Sequence, residues 1–314
     1  MAREEFFSFL SSNGKTKIHA VKWLPEDGNY HTILQITHGM IEYIERYRGF
    51  AEYLTERGFM VVGHDHLGHG ESVTSEDEWG FIALPDPSGT KVEDMHTLRT
   101  TIQKENPGVP YFMLGHSMGS YMLRKYLTLH NENLSGAIIM GTGFMSPRLM
   151  GFGMFLCRIL VAIRGWNHRS KFIQFLSFRG PYQRFDVTGK KPENSWLTKD
   201  ADCVREYYST PKCSFMFSLN AYYGLMDAVK YDCNLKNAMK IPTELPLFFV
   251  SGQDDPVGNM GKGVKKAYEM YKKAGITDIT CKLYENDRHE ILNETDKEKV
   301  YADIYAWMSE RNHK

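Results

Sequence analysis

With 314 residues, of which 42% are hydrophobic and 13% aromatic, the chain suits one large α/β domain or a core domain with an insertion, and its composition is that of an ordinary globular protein. Lysine and arginine together number 38, as do aspartate and glutamate, so the charge balance gives no reason to expect nucleic acid as a partner. The five cysteines are odd in number and scattered, which argues against a disulfide framework or a zinc site and favours a reducing, cytoplasmic setting.

Neither a signal sequence nor a membrane span is predicted. No apolar signal core follows the opening Met-Ala-Arg-Glu-Glu. The longest uncharged candidate for a span, residues 149–163, is interrupted by Arg158 and falls short of the roughly eighteen apolar residues that crossing a bilayer requires.

Strands and helices alternate over residues 1–142. The dipeptide Asn13-Gly14 predicts a hairpin turn between the first two strands. The predicted strands are residues 6–10, 17–24, 32–37, 59–63, 111–114 and 134–140. The predicted helices are residues 43–57, 92–105 and 118–130. Such alternation implies a mostly parallel sheet with helices on both faces.

The alternation stops at Gly143 and resumes after about Asp232. The intervening residues are rich in methionine and aromatic side chains and contain helical patterns at 150–163, 171–178 and 214–230. We therefore predict a mainly helical cap at residues 143–232, inserted between two parts of the core, residues 1–142 and 233–314. The second part contains predicted strands at 246–250 and 279–284 and predicted helices at 261–274 and 296–311.

The pattern Gly115-x-Ser117-x-Gly119 lies between a short apolar strand and a helix. In that setting it is typical of a nucleophile elbow, where a serine sits at a strained turn with its hydroxyl exposed above the end of a strand. A side chain at either glycine position would collide with the neighbouring strand or helix. Ser117 is therefore the predicted nucleophile.

A serine hydroxyl needs a base and an orienting carboxylate, and in elbow enzymes these follow along the chain in the order acid, then histidine. His289 follows the last predicted strand and is the predicted base. Asp254 and Asp255 both follow the strand before it, and turn chemistry leaves the choice between them open, with a preference for Asp255. Asp287 is a weaker alternative because neighbouring loop residues usually diverge.

The oxyanion that forms on the attacked carbonyl needs hydrogen-bond donors already in place. One expected donor is the backbone N–H of Met118, directly after the nucleophile. The second is expected in the loop after the early strand, where His38-Gly39-Met40 supplies the N–H of Met40 and where Gly39 allows close approach to substrate.

The segment from His64 to Ser72 is rich in histidine and glycine. Its side chains His64, Asp65, His66 and His69 could in principle bind a metal. The alternative is a glycine-hinged loop that braces the active site through hydrogen bonds. We favour the latter and predict no metal and no cofactor, because a complete metal-free mechanism is available elsewhere.

The cap contains a cluster of aromatic and methionine side chains. Its members include Phe144, Met145, Met150, Phe152, Met154 and Phe155. Most are expected to serve packing, but some, with Phe144 and Met145 as candidates, could line an acyl pocket or, beside Arg158 and Arg164, touch a membrane surface.

Together these motifs resemble the α/β-hydrolase fold, and within it the monoacylglycerol lipase and lysophospholipase-like serine hydrolases of the serine aminopeptidase S33 type. The matching segments are HGMIEYIERY (38–47), DHLGHGES (65–72), GHSMG (115–119), GQDD (252–255) and RHE (288–290). The resemblance implies Ser117 as nucleophile, His289 as base and, from the family spacing Gly-x-x-Asp, Asp255 as acid. It also implies small ester substrates with a single acyl chain.

Two rival functions stay open at this point. A proline-selective aminopeptidase would use the same core and would need an acidic cluster near the serine, for which Glu71, Glu193 and Asp202 are candidates. A non-catalytic binding protein on the same fold would need none of the catalytic residues. The sequence does not predict the oligomeric state or the acyl-chain preference.

Overall fold

The computed structural model describes residues 2–312, in which eight strands form one sheet. The strands are β1 (Arg3–Leu10), β2 (Lys17–Leu24), β3 (Thr32–Thr37), β4 (Phe59–His64), β5 (Tyr111–His116), β6 (Gly136–Met140), β7 (Leu247–Gly252) and β8 (Ile279–Tyr284). The helices are α1 (Arg48–Thr55), α2 (Pro87–Glu105), α3 (Met118–Leu127), α4 (Pro147–Arg164), α5 (Lys171–Ser177), α6 (Ala201–Ser209), α7 (Leu219–Asp232), α8 (Leu235–Ala238), α9 (Lys262–Lys273) and α10 (Lys297–Ser309).

The sheet order is β1-β2-β4-β3-β5-β6-β7-β8. Strands β3 to β8 run parallel to one another, whereas β2 pairs antiparallel with β4 and with β1. This confirms the predicted mostly parallel sheet. The carboxyl ends of β3, β5, β7 and β8 meet at one edge of such a sheet, which is where ligands bind in open α/β folds.

The central strands are buried on both faces because successive side chains point to opposite layers. On one face Leu34 packs in a core that includes α1 and α10, while its neighbour Ile33 packs in the core that includes α2, α3 and α9. The near-continuous apolar sequence of these strands therefore reflects two helical layers.

Helices α2 and α7 are among those that begin at other residues than predicted, and each does so for a local reason. Helix α2 starts at Pro87, earlier than residue 92, because Asp86 caps it by accepting a hydrogen bond from Gly89 N and the proline suits the first turn. Helix α7 starts at Leu219, later than residue 214, because the Ser218 side chain caps it at Ala221 N.

Helices α4 to α7 lie between β6 and β7 within the predicted helical insertion, and the short helix α8 follows it. Helix α7 packs against α4 and also against α2 and α3, so the insertion is joined to the core layer by one of its own helices. The residue limits 143 and 232 of a separate cap domain therefore stay a prediction. Among residues 2–312, no helix is both long enough and apolar enough to cross a membrane.

One buried arginine on α3 forms hydrogen bonds at both ends of the inserted segment. Arg124 donates hydrogen bonds to Thr142 Oγ1 at 3.1 Å and Gly143 O at 3.0 Å, where the chain leaves the sheet. It also donates to the carbonyl of Asp232 at 2.9 Å, where α7 ends. The two ends of the insertion are thus fixed to the helix that follows Ser117.

Candidate active site

The turn between β5 and α3 has the geometry of a nucleophile elbow. Ser117 has φ of 52° and ψ of −120°, a strained backbone conformation for a residue with a side chain. A Cβ on Gly119 would lie 2.1 Å from Thr37 O, and a Cβ on Gly115 would lie 2.4 Å from Gly119 O. Both glycines are therefore sterically required, as predicted, because α3 passes so close to β3 and β5.

His289 and Asp255 meet after the last two strands. The two side chains are almost fully buried, and His289 Nδ1 lies 3.0 Å from Asp255 Oδ2. The Asp255 carboxylate also accepts hydrogen bonds from Ser251 Oγ at 3.1 Å and Val257 N at 2.8 Å. A carboxylate so placed holds the imidazole with its proton on Nδ1 and leaves Nε2 free to accept one.

The neighbouring carboxylates lie elsewhere. Asp254 is partly exposed, and its backbone N–H donates to the carbonyl of Asp287 at 2.8 Å. The Asp287 side chain forms an ion pair with Lys199. Of the candidates that turn chemistry left open, only Asp255 contacts His289 within residues 2–312.

Ser117 and His289 line one cavity of about 510 Å³, together with Met40 and Met118. Gly39 lies against the elbow, since a Cβ there would come within 3.0 Å of Ser117 Cβ. Met40 and Met118, whose N–H groups are predicted to bind an oxyanion, therefore lie beside Ser117. Asp255 follows β7, which lies on the other side of β5 from β3.

His38 is held neutral in the loop that carries Met40. The backbone N–H of His66 donates to His38 Nε2 at 2.9 Å, so the proton lies on Nδ1, which donates to Gly39 O at 2.8 Å. Burial lowers the pKa of His38 to about 4, which agrees with this tautomer.

The cavity has an apolar wall and a polar end. The wall comes from the inserted helices and includes Leu149, Phe152, Leu156, Ile173, Leu176, Leu225, Met226 and Val229. Met145 also lines the cavity, as predicted. Phe144 is not among the lining residues, and its ring centroid lies 4.3 Å from Lys266 Nζ instead. The cavity therefore gives the predicted substrate contact at Phe144 no support.

Sequence reasoning missed a buried charged network at the polar end of the cavity. Glu42 accepts hydrogen bonds from Gly39 N, from Tyr47 OH at 3.0 Å and from His116 Nδ1 at 3.0 Å. Arg46 bridges Glu42, at 2.9 Å, and Glu290, at 2.6 Å. A signal was present, since the two charges Glu42 and Arg46 stand four residues apart directly after the oxyanion loop.

The network is charged in spite of its burial. Burial raises the pKa of Glu42, but the hydrogen bond and charge of His116, followed by the charge of Arg46, outweigh it and hold the pKa well below its usual value. His116 in turn lies 3.2 Å, through Nε2, from the carbonyl of His289. The network therefore connects the oxyanion loop to the backbone of the predicted base.

The histidine-rich loop is buried, and its Asp65 side chain holds backbone groups on either side of it. Asp65 accepts hydrogen bonds from Ile44 N and Glu71 N, each at 2.8 Å. Within the part of the chain that the structure describes, the potential ligand atoms that converge in a group of three belong to His19, Glu45 and Asp65, and not to the histidines of the loop. Of the four side chains considered as possible metal ligands, only Asp65 belongs to such a group.

The acidic side chains considered for a peptidase do not gather near Ser117. Glu71, Glu193 and Asp202 are exposed, and none lines the cavity. Glu71 forms an ion pair with Lys212 and Asp202 with Arg205. The carboxylates that do line the cavity, Glu42 and Glu290, are both paired with Arg46.

Comparison with known proteins places this geometry among hydrolases. The family model described as serine aminopeptidase, S33, matches residues 28–296. A monoglyceride lipase homolog of monkeypox virus is 27% identical over 88% of this chain and 88% of its own length. The monoglyceride lipase of Rattus norvegicus is 26% identical over 92% of this chain and 86% of its own.

The solved structure of a thermostable carboxyl esterase from Bacillus coagulans, in complex with glycerol, is also similar. It superposes with a TM-score of 0.87 at 29% identity and covers 98% of both chains. The predicted α/β-hydrolase fold is thereby confirmed.

Proposed function

Because the chain belongs to the serine aminopeptidase S33 family, we propose that it hydrolyses esters of single acyl chains through an acyl-enzyme on Ser117. The broad class, a hydrolase of lipid esters, follows from the monoglyceride lipases and the carboxyl esterase to which the chain is similar. The observation that carries the finer proposal is the buried hydrogen bond between His289 and Asp255 at the cavity that Ser117 lines.

The first half of the proposed reaction makes the acyl-enzyme. Ser117 Oγ attacks the ester carbonyl while His289 Nε2 takes its proton, and the imidazolium is stabilised by Asp255. The carbonyl oxygen becomes an oxyanion that accepts hydrogen bonds from the Met40 and Met118 N–H groups. Collapse of this intermediate breaks the bond to the alcohol oxygen, which leaves with the proton held by His289.

The second half releases the acid. A water molecule gives a proton to His289 Nε2 and attacks the acyl carbonyl, and a second oxyanion forms between the same two N–H groups. Collapse breaks the bond to Ser117 Oγ, which recovers its proton from His289. The enzyme returns to its starting state, and the reaction needs no redox step.

The cavity supports a lipid ester as substrate. Its wall from α4, α5 and α7 can bury an acyl chain, and its volume of about 510 Å³ is in the range of small-molecule sites. At the other end, Glu290 and Tyr207 offer polar contacts to the alcohol part. The pairing of Glu42 and Glu290 with Arg46 leaves no free carboxylate there for the amine of a peptide.

A hydrolysis panel tests the proposal. We expect turnover of p-nitrophenyl esters and of 1-monoacylglycerols, with KM falling as the acyl chain lengthens because each added methylene is buried against the apolar wall, by up to about fourfold per methylene. Proline p-nitroanilide, lysophospholipid and triacylglycerol complete the panel. Faster turnover of the proline amide than of any ester would establish the aminopeptidase instead, and acyl-ligand binding without any turnover would establish a binding protein.

We also propose that α4 and α5 contact a lipid surface from which the substrate enters. Their exposed faces carry large apolar side chains that include Phe155, at 58% exposure, and Ile163, at 72%. Basic side chains flank them, among them Arg158 and Arg164, which suits an anionic interface. Phe152 is both exposed and part of the cavity wall, so this face adjoins the cavity.

Vesicle binding tests this contact. The double variant Phe155→Ser, Ile163→Ser is expected to bind anionic phospholipid vesicles at least about tenfold more weakly, since it lacks two apolar side chains that the lipid would bury. Hydrolysis of a short soluble ester should be retained. The matched control, Leu129→Ser with Met239→Ser, removes two exposed apolar side chains, at 48% and 60% exposure, that lie outside α4 and α5. Equal loss of binding in both variants would contradict the proposal.

The compartment is proposed from the thiols. All five cysteines are free in the structure, and three of them are buried. Free thiols persist in a reducing environment, which supports a cytoplasmic location.

A further inference from the structure

A lysine is buried beside the elbow without a counterion. Lys91, on α2, is 1% exposed, and its Nζ lies 3.1 Å from Met118 Sδ. Within residues 2–312, no ion pair joins Lys91 to an acidic side chain, and burial alone shifts its pKa. Its Nζ also lies 6.0 Å from the centroid of the Phe217 ring. Burial of an amine with so few polar partners costs free energy, so packing alone does not explain the choice of lysine.

The groups that face Lys91 from the neighbouring elements are histidines. They are His38 after β3, and His66 and His69 in the loop after β4, and each interacts electrostatically with Lys91. Nearby carboxylates are otherwise engaged: Asp94, on α2 itself, accepts hydrogen bonds from Ser11 and Ser12, and Glu42, beyond His38, belongs to the Arg46 network.

Of these groups, Lys91 is the one that can change charge near neutral pH. Burial lowers the pKa of Lys91 to about 7. Burial also lowers the pKa of His38 to about 4 and holds the pKa values of His66 and His69 well below their usual range. The three histidines therefore stay neutral while the lysine titrates.

Lys91 lies close enough to the proposed oxyanion to affect it. Bond lengths place a methionine Sδ at most about 5 Å from its own backbone nitrogen, so Nζ lies within about 8 Å of the Met118 N–H. At that distance, two unit charges in a protein of effective dielectric constant about 20 interact strongly enough to change a rate by roughly ten- to thirtyfold.

We propose that Lys91, in its protonated form, accelerates the ester hydrolysis proposed above by stabilising the oxyanion at Met40 and Met118 from beneath the elbow, without touching the substrate. The inference rests on the proposed function. Lys91 is thus an electrostatic positioning residue: it acts through the elbow on charge that develops in the transition state.

The pH dependence gives the proposal a distinct signature. Lys91 must be charged to stabilise the oxyanion, so kcat/KM falls as pH rises through the pKa of the lysine, which is about 7. An enzyme that worked without this charge would show no such fall, so the fall on the alkaline side is the signature of Lys91.

The test is the pH profile of kcat/KM for a short soluble ester, from about pH 5.5 to about 9.5. In the native protein we expect about a tenfold fall on the alkaline side. Lys91→Met fills a similar volume without an amine, so it should remove that fall and lower kcat/KM about tenfold on the acid side, while its melting temperature rises. Lys125→Met is the matched control, because Lys125 on α3 has partners in Ser88 and Asp227 and should keep the native profile.

Each outcome bears on one claim. An alkaline fall that persists in Lys91→Met would overturn the inference, and so would a native profile that stays level to the alkaline limit, a result that stands even if the variant fails to fold. Absence of hydrolysis from the native protein at every pH would instead overturn the proposed function.

Discussion

Ser117→Ala is expected to abolish ester hydrolysis, with kcat lowered about 10⁶-fold, because the oxygen proposed to form the acyl-enzyme is removed. Alanine carries the same Cβ as serine, so the elbow with φ of 52° keeps its geometry and the cavity its shape. The melting temperature should therefore change little. Turnover of a short p-nitrophenyl ester, measured at enzyme concentrations high enough to detect the residual rate, gives the decrease directly.

A fluorophosphonate probe provides an independent readout of the same change. The native protein should be labelled at one residue and Ser117→Ala not at all, since the probe reacts with an activated serine. Ser135→Ala is a suitable control, because Ser135 accepts a hydrogen bond from Tyr111 N at the opposite end of β5. Equal labelling of the native protein and Ser117→Ala would rule out the mechanism.

Asp255→Asn is expected to lower kcat about 10⁴-fold while the protein stays folded. The asparagine amide can donate an N–H to His289 Nδ1. The imidazole then carries its proton on Nε2, and Nε2 can no longer accept a proton from Ser117. Ser251 Oγ and Val257 N also bind the native carboxylate, so some loss of melting temperature accompanies the change.

Asp254→Asn is the matched control for this variant, with the same substitution one residue earlier. Asp254 is partly exposed and makes no contact with His289, so kcat should stay within a few-fold of the native value. If Asp254→Asn were the damaging variant, the loop would hold the other aspartate against the base in solution, and the proposed role of Asp255 would fail.

Much of the core could be predicted because its signals are local. The buried strand, the two glycines and the helix around Ser117 are contiguous, and the steric need for Gly115 and Gly119 follows from the sharpness of the turn. The order of acid and base along the chain then pointed to the loops after β7 and β8, where Asp255 and His289 lie.

The remaining features depend on contacts between distant parts of the chain. Arg46 and Glu290 are separated by 244 positions, so no window of sequence shows that they pair. Turn chemistry could not choose between Asp254 and Asp255, because both flank the same turn and only the direction of each side chain distinguishes them. Phe144 illustrates a similar limit, since the hydrophobicity of a residue does not reveal whether it faces the cavity or Lys266.

Because Arg124 binds both ends of the insertion, the insertion can vary between related proteins without disturbing the core. The segment between Gly143 and Asp232 begins and ends at the same place, because Arg124 binds both of these carbonyls and Met145 N lies 3.4 Å from Cys233 Sγ. A loop whose two ends already meet can be exchanged for another of different length without stretching the strands on either side. The helices that form the apolar wall of the cavity can therefore be exchanged as a module, while the turn that carries Ser117 is preserved.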